Sequence, residues 1–253
     1  MVLNQFSRTQ LLLGPEAMEA LARARVAVFG IGGVGGYVAE ALARSGIGAI
    51  DLIDDDQVGI TNLNRQIVAT HSAIGRDKVD VMAERIADIN PSCKVAVHKC
   101  FYLPQTAGQF DFSQYDYIVD AVDTVTAKLR LIQDADASGV PIISSMGAAN
   151  KLDPTAFEVA DIYDTSICPL AKIIRKECRK RGIKACKVVY SKEPARQPSK
   201  EAMAEACAQE AGSDETAAHP IGRAGIPSSN AFVPPVAGLI MAGEVVKDLT
   251  GVR

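Results

Sequence analysis

Tryptophan is absent from this 253-residue chain, and aromatic residues make up only 5% of it. Few rings means few platforms for stacking on unpaired bases, so any contact with nucleic acid has to fall mainly on phosphates. Cysteine is sparse and irregular. The six thiols stand at positions 93, 100, 168, 178, 186 and 207, with no two three residues apart. That spacing argues against a Cys₄ zinc site made of paired ligands, and against the disulfide framework of a small secreted domain. It suits free thiols in a reducing cytoplasm. No apolar run reaches the roughly 18 residues of a membrane span. The opening MVLNQFSRTQLLLG carries Arg8 and has no signal-peptide layout, so a cytoplasmic protein without membrane contact is expected. Histidine is scarce as well: His71, His98 and His219 are scattered, and none presents itself as a general base.

What is present is an ordinary globular balance, 48% hydrophobic and 23% charged, with a net charge of −3. Gln10 to Ala24 reads as one helix. Arg25–Phe29 (RVAVF) reads as a strand that runs into Gly30-Ile31-Gly32-Gly33-Val34-Gly35-Gly36 and then a helix, with Gly46 as its stop. Ala49–Ile53 is a second strand, ending in Asp54-Asp55-Asp56. Strand, glycine turn, helix, strand and acid is the nucleotide-binding layout of a doubly wound α/β sheet. The glycines at 30, 32, 33 and 35 permit the turn, the approach of a phosphate and close helix–strand packing, and the helix N-terminus offers free N–H groups. Asp54 lies 24 residues past Gly30, close to the spacing of a ribose-binding acid.

The next segment favours a nucleotide with more than a pyrophosphate. Asn62, Asn64 and Arg65 follow the acids directly, and Lys78 closes GRDK. Arginine can fork onto phosphate oxygens and lysine adds a point charge. Tyr117-Ile118-Val119 is a third strand, leading to Asp120 and Asp123 where ligands bind in open sheets. A carboxylate facing a triphosphate is a natural Mg²⁺ ligand, and Asp123 is the preferred candidate. Asp120 by itself reads as an N-cap or turn acid.

The chain resembles the ubiquitin-activating-enzyme-like superfamily, the group that includes ThiF, MoeB and HesA. The resemblance is carried by Arg8 in FSRTQLLLG, GIGGVGG, LIDDDQV, TNLNRQ, GRDKV and VDAVDT. It implies that the glycine loop, Asp54 and Asp56 hold ATP, and that Asn62, Arg65, Gln66 and Lys78 surround the triphosphate. It implies that Asp123 helps hold Mg²⁺ and that Arg8 reaches ATP across the interface of a homodimer. The reaction implied is adenylation of a carboxylate with release of pyrophosphate, Arg65 and Asp123 being the catalytic pair.

The second half selects the branch. From Lys172 to Lys200 there are eleven Lys/Arg against two Asp/Glu, a net of +9 within a chain of −3. One amphipathic helix lies there, starting near Pro169. Leu170, Ile173, Ile174 and Cys178 are placed on its apolar face, with Lys172, Arg175, Lys176, Arg179 and Lys180 mostly opposite. A basic helix on an acidic protein suits a polyanion. The stretch GAANKLDPT (147–155) together with AVDTV (121–125) resembles the tRNA threonylcarbamoyladenosine dehydratase subfamily. That resemblance implies ATP-dependent cyclisation of a tRNA-bound threonylcarbamoyl group, which needs neither zinc nor a thioester cysteine. Gly225-Ile226-Pro227-Ser228-Ser229-Asn230 has serines where relatives place a thiol, and Cys207 reads as a helix-packing thiol.

The competing readings are an adenylyltransferase for a sulfur-carrier protein ending in Gly-Gly, an NAD-dependent oxidoreductase and a non-enzymatic tRNA- or protein-binding module. The expected organisation is an ATP-binding Rossmann-like core over 1–150. A smaller basic C-terminal lobe over 151–253 carries the basic helix, a long polar loop and a closing helix from Val236 to Leu249.

Overall fold

Short runs rich in Val and Ile alternate with amphipathic helices along the chain, a pattern that builds a parallel sheet covered on both faces. The computed structural model describes residues 3–197, 199, 201 and 227–252. Its strands are β1 (Arg25–Phe29), β2 (Ala49–Ile53), β3 (Lys94–His98), β4 (Tyr117–Asp120), β5 (Ile142–Ser145), β6 (Phe157–Asp161) and β7 (Lys187–Ser191). They form one sheet in the order β3-β2-β1-β4-β5-β7-β6, parallel except for β6 against β7. The order reverses between β1 and β4. The carboxyl ends of those strands, beyond Phe29 and Asp120, are where open sheets of this kind take their ligands.

The helices are α1 (Ser7–Leu13), α2 (Pro15–Arg23), α3 (Gly35–Ser45), α4 (Lys78–Ile89), α5 (Val125–Ser138), α6 (Pro169–Lys180) and α7 (Val233–Thr250). Side-chain alternation in β1 assigns them to faces. Val26 and Val28 enter the core shared with α2, α3, α4 and α7. Ala27 and Phe29 enter the opposite core, where Phe29 meets Tyr102 edge-on at 4.9 Å. Leu129 and Ile132 of α5 join α6, Val188 and Tyr190 in a third cluster. None of the helices among the described residues is long and apolar enough to cross a membrane.

Three sequence expectations change. The helix expected over Gln10–Ala24 is two helices, because Gly14 takes φ +88° and Pro15 restarts the chain at the first turn of α2. The closing helix starts at Val233 rather than Val236. Pro234 and Pro235 fit its first turn, where no intrahelical N–H is needed, and Asn230 Oδ1 accepts from Val233 N at 2.9 Å. Strands β6 and β7, unanticipated in the sequence, extend the same sheet from the C-terminal segment. Gly46 ends α3 in the left-handed conformation, as expected. Cys207, His219, Gly225 and Ile226 lie outside the described residues.

Candidate nucleotide site

The glycine turn fits where no side chain could. Gly30 leaves β1 with φ +89°, and a Cβ there would lie 2.8 Å from the Ala121 carbonyl oxygen. A Cβ on Gly35 would lie 1.8 Å from the Gly30 carbonyl oxygen. The turn is therefore wedged against the β4–α5 turn on one side and into its own first helical turn on the other. Gly32 and Gly33 face outward from this wedge, towards Gln66 and Arg65: a Cβ on Gly33 would be 3.4 Å from Arg65 Cγ, and one on Gly32 3.8 Å from Gln66 Nε2.

Asp54 holds the turn from below. Its carboxylate accepts Ile31 N at 2.6 Å and Asp56 N at 2.8 Å. Burial pushes the Asp54 carboxyl above its usual range, and Lys78 and the two backbone donors only partly offset this. Each oxygen keeps a second lone pair, so the ribose role expected for Asp54 is compatible with a structural one. Asp56 is committed differently: its Oδ2 lies 2.6 Å from Lys78 Nζ, and the lysine side chain is 5% exposed. Lys78 is thus a held ammonium at the start of α4 rather than a loose surface cation.

Arg65 is half-buried. Nη1 donates to the Thr61 carbonyl and to Asn64 Oδ1, both at 2.9 Å. Its Nε and Nη2 donors make no hydrogen bond to the described residues, so one edge of the fork is available. Burial lowers its pKa, yet an arginine stays charged. Gln66 is buried and its Oε1 has no hydrogen-bond partner among the described residues. A buried orphan acceptor costs on the order of 1–3 kcal/mol and calls for a donor from elsewhere. Asn62 turns inward: its Oδ1 accepts Gly59 N at 3.1 Å and shapes the turn that presents Arg65.

Asp123 is exposed at the mouth of the β4–α5 turn, with the Thr124 hydroxyl donating to its Oδ1 at 3.2 Å. One exposed carboxylate beside phosphate oxygens is a donor set that Mg²⁺ accepts. The carboxylates of Asp54, Asp55 and Asp56 also lie within 4.8 Å of one another, but Asp54 and Asp56 already hold backbone amides and Lys78. Asp120 is a turn acid, accepting Val122 N at 3.2 Å, but it is more than that. It is fully buried and ion-paired to Lys128, a partner that sequence reading missed, because an acid and a lysine eight residues apart across a turn have no distinctive spacing.

The structure brings the glycine turn, Asp54, Asp56, Lys78, Arg65 and Gln66 together. It does not bring Arg8 to them: Arg8 is exposed on α1 and makes no hydrogen bond or ion pair with a described residue.

The basic helix differs from the expectation. Ile173, placed on the apolar face, is 48% exposed, and Ala171, Ile174 and Cys178 are the buried residues of α6. Arg175 turns back to the Thr165 carbonyl and hydroxyl at 2.6 and 2.7 Å. Arg179 lies over the Tyr163 ring at 5.3 Å, and Lys180 pairs with Glu177 at 2.7 Å. Arg175 thus ties α6 to the segment before it, while Arg179 and Lys180 stay exposed with partners of their own, so none of the three is a free cation. Of the five cations read on the helix, Lys172 and Lys176 are exposed without a partner among the described residues, and Lys184 joins them beyond its end.

Residues 6–253 match the ThiF family. The chain belongs to the ThiF family. Within this family, it is 50% identical over 250 residues to the tRNA threonylcarbamoyladenosine dehydratase of Bacillus subtilis, covering 98% of this chain and 95% of that protein. It is similar to the crystal structure of E. coli tRNA N6-threonylcarbamoyladenosine dehydratase, TcdA, in complex with ATP, with a TM-score of 0.83 at 33% identity over 98% of this chain and 94% of that one. The same E. coli protein in complex with AMP matches with a TM-score of 0.83 at 34% identity, with the same coverage. A ThiF-family relative of another kind, the adenylyltransferase and sulfurtransferase uba4 of Aspergillus terreus, is 34% identical over 133 residues, 53% of this chain and 27% of that protein.

Proposed function

We propose that this chain is an ATP-dependent tRNA threonylcarbamoyladenosine dehydratase. The observation that carries the reading is the convergence of Arg65 and Gln66 on Gly32 and Gly33, in a chain similar over its full length to such dehydratases. The glycine turn presents backbone N–H groups to phosphates, and the Arg65 stem passes beside Gly33, which brings its guanidinium within reach of the same phosphates. The threonyl carboxylate attacks the α-phosphate of ATP. A carboxylate oxygen–phosphorus bond forms, and pyrophosphate leaves. The carbamoyl nitrogen of the same side chain then attacks the activated carbonyl carbon. The nitrogen loses its proton, AMP departs with the carboxylate oxygen, and the hydantoin ring closes. The nucleophile is already tethered, which favours closure by proximity. Arg65 and Lys78 counter the charge that grows on the phosphates. Asp123 would hold Mg²⁺, whose contribution when bound is to neutralise phosphate oxygens.

The partners follow the same reading. tRNA meets the exposed Lys172, Lys176 and Lys184. A second copy covers α1, whose Leu11 and Leu12 are 79% and 81% exposed next to Arg8. Arg8 then acts on the partner's nucleotide. A chain that acts on tRNA in this way works in the cytoplasm. The sulfur-carrier alternative has less support: that relative matches over about half of this chain, and no cysteine pair with zinc spacing is present.

The test is AMP formation from ATP with and without tRNA carrying threonylcarbamoyladenosine, followed by mass analysis of the nucleosides. The expected result is AMP release coupled to loss of one water from that nucleoside, abolished by Arg65→Ala while tRNA binding persists. An unchanged nucleoside, with turnover appearing instead on a small protein ending in Gly-Gly, would overturn the reading.

A further inference from the structure

Asp120 closes β4 in register between Phe29 of β1 and Ser144 of β5 and is fully buried. Its carboxylate receives Lys128 Nζ at 3.0 and 3.1 Å, the Ser144 hydroxyl at 2.5 Å and Val122 N at 3.2 Å. Lys128 lies in the first turn of α5 and is 1% exposed. Apolar side chains of similar volume would fill this space with equal or better stability, since desolvating both charges offsets most of their attraction. The location of the pair gives it a purpose that packing alone does not.

The four residues Ala121 to Thr124 span from Asp120 to α5, and the ion pair joins the two elements that this turn connects. Asp120 grips Val122 N, one residue before Asp123. On the other side the ordinary helical bond from Lys128 N to the Thr124 carbonyl, at 3.0 Å, starts α5 one residue after Asp123, so the ammonium sits one turn from Asp123. Ala121 N donates to the Phe29 carbonyl at 2.8 Å, and Ala121 is the residue against which Gly30 and Gly35 are wedged. One ammonium therefore fastens the start of α5 to the end of β4, with Asp123 strung between them.

We propose that Lys128, paired with Asp120 and Ser144, is a positioning residue that fixes the Ala121–Thr124 turn so that Asp123 meets the metal-bound nucleotide. This rests on the reading of Asp123 as the Mg²⁺-side acid. Lys128 itself touches no substrate.

The experiment measures ATP binding to the full-length protein by calorimetry, once with Mg²⁺ and once with EDTA. Lys128→Met alone strands a buried carboxylate, so the informative variant is the doubly neutral Asp120→Asn with Lys128→Met. Ser144→Ala, which leaves both charges paired, is carried alongside in case the double variant does not fold. Asp123→Asn is the reference. The double variant is expected to bind ATP in EDTA within about twofold of wild type and to lose about tenfold in Mg²⁺, as supporting partners of metal ligands do. Ser144→Ala follows in the same direction with a smaller loss. Asp123→Asn is expected to show the Mg²⁺-specific loss too.

A Mg²⁺-dependent gain that survives in the double variant, or in Ser144→Ala when the double variant does not fold, while Asp123→Asn abolishes it, would make the pair mere packing. Equal losses with and without Mg²⁺ would also overturn the proposal, since the pair would then act on the fold or the glycine turn. If Asp123→Asn keeps the full Mg²⁺ gain, the reading of Asp123 fails, and the positioning role falls with it.

Discussion

Asn64 is bonded to Ser229, 165 positions away in the chain: its Nδ2 donates to the Ser229 carbonyl at 3.2 Å. The other end of the same amide accepts Arg65 Nη1 at 2.9 Å. Ser228 is fastened in turn to Asn150, whose Oδ1 accepts its N–H at 2.8 Å and its hydroxyl at 2.7 Å. Asn150 sits at φ +61°, a left-handed conformation that asparagine tolerates better than most residues. The rim beyond the strand ends is therefore one hydrogen-bonded run from Asn150 to Arg65.

Asn64→Ala removes the side-chain anchor of Arg65 and leaves only the Thr61 carbonyl. A single hydrogen bond of this kind is worth about 1 kcal/mol, so kcat/KM for ATP is expected to fall about fivefold to tenfold. tRNA affinity is expected to stay unchanged. Steady-state kinetics with ATP varied checks this. Wild-type kcat/KM would mean that Thr61 alone orients the guanidinium.

The cations of α6 divide into two kinds, and substitutions should separate them. Reversing Lys172, Lys176 and Lys184 to Glu is expected to weaken tRNA binding and to flatten its logarithmic salt dependence by about 0.7–0.9 for each phosphate no longer neutralised. The thermal midpoint should hold, because none of the three is partnered among the described residues. Arg175→Ala should do the opposite. It removes two bonds to Thr165, lowers the midpoint and leaves the salt slope nearly as it was. A filter-binding series at several salt concentrations, read beside melting curves, distinguishes them. An unchanged slope in the triple variant would remove this face from the tRNA surface.

The nucleotide half of the fold is local chemistry and could be read from the residues. β1, β2 and the glycine turn are contiguous, and Gly30 and Gly35 are where a Cβ would collide with backbone. The C-terminal half depends on contacts that no local pattern encodes. β7 inserts between β5 and β6 although β6 precedes it, so its place follows from the completed sheet. Arg175 and Arg179 look like solvent cations in a helical projection. Only the positions of Thr165 and Tyr163 reveal that both have partners within the chain. Lys128 reads as an ordinary helix lysine until β4 and β5 bring Asp120 and Ser144 to it.

Acid should weaken the protein through Asp51. Its buried carboxylate accepts Arg25 Nε at 2.8 Å, His98 Nε2 at 2.9 Å and the Tyr115 hydroxyl at 3.1 Å. Burial pushes its pKa up, and the bonds from Arg25, His98 and Tyr115 outweigh it, leaving it below the ordinary 3.8. A depressed carboxylate contributes stability above its unfolded value, and that contribution is lost as the pH falls through the folded one. Asp51→Asn should therefore cost about 1–3 kcal/mol near neutrality, the lower part of the range for a pair whose arginine is one-third exposed. The gap to wild type should close below about pH 3.8. Urea unfolding at neutral pH and at about pH 3 tests it, since the linkage acts between the two pKa values. A gap that is equal at both would assign the loss to packing rather than charge.

The exposed leucines of α1 make the quaternary arrangement testable independently of any structure of the pair. Leu11 and Leu12 are 79% and 81% exposed, and covering a leucine is worth about 1.5–3 kcal/mol. Leu11→Glu with Leu12→Glu should yield a folded monomer by sedimentation and circular dichroism, because both side chains are exposed within their own chain, with a lower thermal midpoint that no longer depends on protein concentration. Whether the partner completes the site follows from mixing two inactive proteins, Arg8→Ala and Arg65→Ala. If Arg8 serves the partner's nucleotide, a mixed dimer has one whole site. Random exchange makes half of the dimers mixed, so activity should return to about one quarter of wild type. If Arg8 serves its own chain, each protomer of the mixed dimer lacks one arginine it needs, and no activity returns.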